Sequence, residues 1–139
     1  MNTESQAAKA PLSFWIVSGL GLLWNAFGAY LYMLSKLNPE AALAGATPAM
    51  RDYVAAMPTW AHIGWSLGIW GSALGSVLML LRSRHAVTAF LVSLLGALAS
   101  FGAQARAGVL ETGISVTVLV VIVFLLWFSR NEAAKGTLR

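Results

Sequence analysis

The sequence predicts an all-α, polytopic membrane protein: a bundle of four transmembrane helices with a short amphipathic helix between the first and the second. Four apolar runs, residues 12–34, 59–81, 86–105 and 112–128, fill most of the 139-residue chain, and none contains Lys, Arg, Asp or Glu. A stretch of about 20 apolar residues crosses the hydrocarbon core of a bilayer as a helix. Hydrophobic residues make up 58% of the chain and charged residues only 10%, against about 25% charged in a soluble domain. Five acids and nine bases cannot cover the surface of a soluble fold. The net charge of +4 does not indicate a nucleic-acid partner, because the bases lie at the ends of the apolar runs, where they orient helices in the bilayer. The lipid bilayer is the expected partner.

Residues 1–11 form a polar lead-in, frayed up to Ala10, and Pro11 suits the first turn of a helix because its missing N–H costs nothing there. The Ala44-Gly45-Ala46 sequence resembles a signal-peptidase site. The run before it is longer than the 7–15 residues of a signal h-region, so it reads as a retained helix. Helix 1 spans 12–37 and stops before Asn38-Pro39, a turn signal. Thr47-Pro48 reads as an N-cap followed by proline at the first helical position. Met50, Tyr53, Val54 and Met57 then fall on one face and Arg51 and Asp52 on another, the pattern of a short amphipathic helix at the membrane surface or capping the bundle.

Pro58 separates that element from helix 2, residues 59–81. The tight connector Arg82-Ser83-Arg84-His85 makes helices 2 and 3 antiparallel neighbours, and helix 3 covers 86–105. Helix 4, 112–128, is rich in Val, Leu, Ile and Phe all round, and 129–139 reads as a polar tail, disordered beyond its first turn. Lys9, Arg82, Arg84, Arg130, Lys135 and Arg139 lie on one side of the bilayer and Lys36, Arg51 and Arg106 on the other. The positive-inside rule therefore puts both termini in the cytoplasm.

Gly64, Gly68, Gly71 and Gly75 form a small-residue face on helix 2, and Ser93, Gly96, Ser100 and Gln104 form a similar stripe on helix 3. Such faces let helix backbones approach closely. With the stripe on helix 1, they predict a tight bundle with helix 4 more exposed to lipid or to another subunit.

Asn25 is the first candidate site residue, near the middle of its span and on one face with Ser18, Gly21, Gly28 and Tyr32. An unpaired amide in hydrocarbon costs several kcal/mol, so it must meet protein or water. One reading is an interhelical hydrogen bond, worth about 0.6–2 kcal/mol; the other is that Asn25 orients a polar ligand in a central cleft. Trp15, Trp60 and Trp127 fall where interfacial tryptophans belong. Trp24, Trp65 and Trp70 lie deeper, as walls suited to a neutral or flat solute, or as ordinary packing. His62 lies in the first turn of helix 2, near the depth of Gln104, Arg106 and Glu111. With Tyr32, Tyr53, Arg51 and Asp52 these residues would make one polar mouth, or His62 is a plain interfacial histidine.

The chain has no cysteine, which removes disulfides, thiolate metal sites and dithiol redox chemistry. The two histidines fall on opposite sides, so no metal site is expected, and no cofactor. No nucleophile–base pair, paired carboxylates or phosphate loop indicates an enzyme.

Trp24-Asn25-x-x-Gly28-x-Tyr30, Met57-Pro58-x-Trp60 and Trp65-x(4)-Trp70-Gly71-x(3)-Gly75 resemble a group of small bacterial four-helix membrane proteins, some loosely labelled sugar transporters. The resemblance covers helices 1 and 2. It implies a solute-handling role in the bacterial inner membrane and brings no binding residues with it. The expectation is a non-enzymatic integral protein acting on a small neutral solute, as a homo-oligomer if it transports. The alternative is an accessory or assembly subunit of a membrane-protein complex.

Overall fold

In the computed structural model, which describes residues 10–139, four long helices and two short ones hold 82% of the described residues. The frayed segment expected over residues 1–9 lies outside the described residues. The helices are α1 (Leu12–Leu37), α2 (Pro39–Ala42), α3 (Pro48–Ala55), α4 (Thr59–Leu80), α5 (His85–Ala107) and α6 (Thr112–Ala134). By length and composition α1, α4, α5 and α6 can each cross a membrane. Two ends of the bundle are distinguishable. The tail end carries Pro11, the 81–84 connector and residues 135–139; the loop end carries α2, α3 and the 108–111 turn.

Helix boundaries follow local chemistry. Pro11 is the N-cap of α1, one position before its expected place. Thr47 caps α3 as expected, its hydroxyl accepting from Met50 N–H at 3.2 Å. Asn38 caps the short α2, accepting from Ala41 N–H at 3.3 Å, so the expected turn continues as one further helical turn. Met50, Tyr53 and Val54 are half-buried while Arg51 and Asp52 are exposed. The amphipathic pattern is thus realised, one face packed and one wet.

Three long helices end with the same device. At the end of α5, Gly108 (φ 76°) N–H bonds the Ala105 carbonyl and Val109 N–H bonds Gln104. At the end of α6, Gly136 (φ 85°) N–H bonds Ala133 and Thr137 N–H bonds Glu132. At the end of α4 the left-handed position is held by Arg82 (φ 59°), whose N–H bonds Met79 while Ser83 N–H bonds Leu78. This paired bonding satisfies carbonyls that a helix end leaves open, and glycine normally occupies the left-handed residue. Arginine pays a steric cost there of roughly 1 kcal/mol.

The tail offsets that cost, and here the fold departs from the expectation of disorder. Helix α6 runs six residues past 128, and the chain then folds back onto the 82–84 connector. Arg82 Nε donates to the Thr137 carbonyl at 3.0 Å, Arg139 N–H donates to the Arg82 carbonyl at 2.9 Å, and Arg84 N–H donates to the Arg139 carbonyl at 3.2 Å. Thr137 donates its hydroxyl to Glu132, itself 2% exposed. Leu138 enters the core beside Phe14, Met79, Phe90 and Leu125. A polar composition concealed one well-placed leucine.

Helices α4 and α5 make the most intimate pair. Gly64 and Gly96 meet backbone to backbone, Gly68 lies against Ala97, Gly71 against Ser93, and Gly75 against the Phe90 ring. Ser93 Oγ donates across this seam to the Gly68 carbonyl at 2.6 Å. Such close contact gains dispersion energy, the main attraction between helices where the surroundings are also apolar. Helix α6 is no more exposed than α1: about 22% of the apolar window is buried in each. The expectation that helix 4 is the more exposed holds against α4 and α5 but not against α1.

Candidate functional site

Asn25 makes a buried contact between helices. It is 6% exposed, and both hydrogens of its amide are used. Nδ2 donates to the Ser72 carbonyl at 3.1 Å and to Ser76 Oγ at 2.6 Å, tying α1 to α4. Ser18 and Gly21 are buried on the same stripe, with Leu125 of α6 over Gly21. Asn25→Leu is therefore expected to lower stability by about 1–2 kcal/mol through loss of these bonds, read as a lower unfolding midpoint in bicelles. An unchanged midpoint would remove the packing role.

The aromatic walls expected around Asn25 stand elsewhere. Trp24 is exposed and meets no aromatic ring among the described residues, whereas Trp70, equally exposed at 43%, keeps an edge contact with Tyr32. Trp65 and Trp70 instead gather with Tyr32, nearer the loop end. Tyr32 lies 4.7 Å from Trp65 between ring centroids and 5.7 Å edge-on from Trp70, while His62 meets Trp65 edge-on at 5.7 Å. The reason is helical spacing: Asn25 and Tyr32 are two turns apart on one stripe of α1, so the stripe that meets Ser72 and Ser76 on α4 meets Trp65 and Ser66 two turns on. Tyr32 Oη and Ser66 Oγ share a hydrogen bond at 2.7 Å.

Lys36 completes the cluster, one turn beyond Tyr32. Its ammonium lies 5.4 Å from the centroids of both Tyr32 and Trp65, within the range of cation–π attraction. It also lies 2.9 Å from His62 Nε2. An ammonium has no acceptor, so Lys36 donates and His62 accepts on an unprotonated Nε2. Lys36 also lies in the last turn of α1, where a positive charge complements the helix end. Among the described residues, no carboxylate approaches it within ion-pair distance.

The cluster thus unites Tyr32, Trp65, Trp70 and His62 from the expected set and adds Lys36 and Ser66. Both additions carry a sequence signal: Lys36 follows Tyr32 by four residues and Ser66 follows His62 by four, so each shares a helix face. Asn25 and Trp24 stand apart. Gln104 does too, half-buried in the last turn of α5, where its carbonyl accepts from Val109 N–H at 3.0 Å.

The single polar mouth expected at the loop end is two separate places. His62 faces Lys36 and α1. Asp52, Tyr53, Trp60 and Arg106 line a different cleft of about 650 Å³ between α3, the start of α4 and the end of α5. Arg51 joins neither, its guanidinium donating to the Ala44 and Ala46 carbonyls. Comparison with known protein families, curated proteins and solved structures finds no match to this chain.

Proposed function

We propose that this integral membrane protein resides in a bacterial inner membrane, loop end outward, and binds a small neutral polar solute at the aromatic cluster. One observation carries the reading: Tyr32, His62, Trp65, Trp70 and Lys36 converge from two helices on one place. Ligand sites combine aromatic walls with a few placed polar groups. Aromatic faces pack against the C–H face of a sugar-like ring, while the Tyr32 and Ser66 hydroxyls and the Lys36–His62 pair offer hydrogen-bonding groups at its edge. No acid belongs to the cluster among the described residues, and the charge of Lys36 is already engaged by His62 and two rings. Both features favour a neutral solute over a cation. The distribution of bases supports the outward placement of this end. The protein is read as a binder or carrier, not an enzyme, and a four-helix unit would transport as a homo-oligomer.

Uptake of neutral monosaccharides and disaccharides into proteoliposomes, with calorimetric titration of the same solutes, tests the proposal. Trp65→Ala is expected to weaken binding by about tenfold or more, equivalent to about 1.4 kcal/mol, while Asn25→Leu leaves affinity unchanged. Equal loss in both variants would move the site to the bundle centre. The accessory-subunit alternative draws on a shallow apolar groove along α6, lined by Leu119, Val120, Val123, Phe124 and Trp127, where another membrane helix can lie. Absence of binding for every solute, with a membrane protein co-purifying through that groove, would favour it.

A further inference from the structure

The cleft at the loop end differs in chemistry from the aromatic cluster on the other side of α4. Its walls are mostly apolar, formed by the Trp60 ring, Ala103 and Val109, and its floor and rim bring Asp52 from α3 and Arg106 from α5 into one cavity of about 650 Å³. These opposite charges do not pair with each other. Among the described residues neither side chain makes a hydrogen bond or ion pair with another group. An acid and a base that share a cleft without pairing are each free to engage one end of a ligand carrying both charges.

A second observation points the same way. The Tyr53 hydroxyl is shut off from solvent yet has no hydrogen-bond partner among the described residues. A buried hydroxyl normally has a partner, and this one belongs to a residue lining the cleft. A phenol is an O–H donor at neutral pH, and burial raises the Tyr53 pKa further above the ordinary value. The cleft lies where α4 begins and α5 ends, the depth at which membrane spans pass into the head-group layer. Trp60 and Tyr53 are the amphipathic aromatics characteristic of that layer.

We propose that this cleft binds the head group of an ethanolamine phospholipid. The phosphate pairs with Arg106, the ammonium pairs with Asp52, and the Tyr53 hydroxyl, turning toward the cleft as the head group enters, donates to a phosphate or ester oxygen. Arginine suits phosphate through its planar set of donors. The same amine-and-phosphate chemistry occurs in free phosphoethanolamine, but the apolar walls and the depth of the cleft favour the lipid. Helix α3, with its half-buried Met50, Tyr53 and Val54, acts as a strap over the head group.

The test uses the full chain in nanodiscs of equal parts phosphatidylethanolamine, phosphatidylglycerol and phosphatidylcholine, followed by native mass spectrometry of retained lipid. Phosphatidylglycerol keeps the phosphate and lacks the ammonium, so the contrast isolates Asp52. The wild type is expected to retain phosphatidylethanolamine about fivefold over phosphatidylglycerol, a difference well within what one charged contact supplies. Asp52→Asn should bring that ratio to about one, and Arg106→Gln should lower retention of both lipids about fivefold. Tyr53→Phe, which keeps the ring, should weaken retention about two- to threefold. Equal retention of all lipids by the wild type, or ratios unmoved by Asp52→Asn and Arg106→Gln, overturns the proposal. Displacement of bound lipid by millimolar phosphoethanolamine overturns the lipid as source. Circular dichroism melting of each variant separates lost contacts from lost fold.

Discussion

Gly96→Ala is expected to destabilise the folded bundle by about 2–3 kcal/mol, the upper part of the range for overpacking a tight interface. A Cβ at this position would lie 2.6 Å from the Gly64 carbonyl oxygen and 2.7 Å from the Gly68 nitrogen. Both are backbone atoms of α4, so no rotamer change can make room and the two helices must separate. Separation would also stretch the Ser93 bond to the Gly68 carbonyl. Gly102→Ala provides the control within the same helix, since nothing lies within 4 Å of its added Cβ. There alanine gains about 0.5–1 kcal/mol of helix propensity over glycine. Reversible unfolding in mixed micelles should move the two variants in opposite directions. A Gly96→Ala midpoint equal to wild type would show that the seam is looser than its distances indicate.

Leu138→Ala is expected to cost about 2 kcal/mol, the low end of the range for truncating a buried leucine. Leu138 is 3% exposed, packed with Phe14, Met79, Phe90 and Leu125. It seats the tail against the 82–84 connector, so its loss also weakens the two backbone bonds between Arg82, Arg84 and Arg139. Hydrogen exchange at Arg84 and Arg139 should rise in this variant, while amides in the centre of α5 remain protected. Exchange rates unchanged at those two amides would mean that the tail is held by Thr137 and Glu132 alone.

Much of the architecture was legible in the residues. The four spans, the Thr47 cap and the half-buried face of α3 follow from length, residue type and period, all local properties. The glycine stripes on helices 2 and 3 foretold their close seam, because small side chains at spacings of three and four lie on one face. Less was legible at the tail. Gly136 two residues past Ala134 is a helix-ending signal, but the surrounding polarity pointed to disorder and outweighed it. Arg82 gives no such signal, since an arginine accepts a left-handed backbone only where later contacts hold it.

The candidate site divides along the same line. Residue type alone marks Tyr32, His62, Trp65 and Trp70 as candidates, but decides only in part which of them meet. Residue type and depth set Trp70 beside Asn25, whereas the structure sets it beside Tyr32; His62 does meet Tyr32 as expected, but Tyr53 and Arg106, expected in the same mouth, line another cleft. The partners of Asn25 carry no sequence signal: the Ser72 carbonyl is backbone that any residue supplies, and a helical serine such as Ser76 can equally satisfy itself on its own backbone.

Residence in a membrane, the number of spans and the places where helices start and stop were determined by the sequence alone. They depend on the transfer of an apolar segment of about 20 residues and on caps and prolines, which act within a turn of where they stand. Which side chains meet was decided only by the tertiary structure. That depends on the rotation and axial offset of one helix against another, and these are set by contacts far from the site: Gly64 on Gly96, Asn25 on Ser72 and Ser76, and the tail on Arg82. A rotation of about 100° per residue separates an aromatic cluster from a lipid-facing tryptophan, and no local property of the chain fixes that angle.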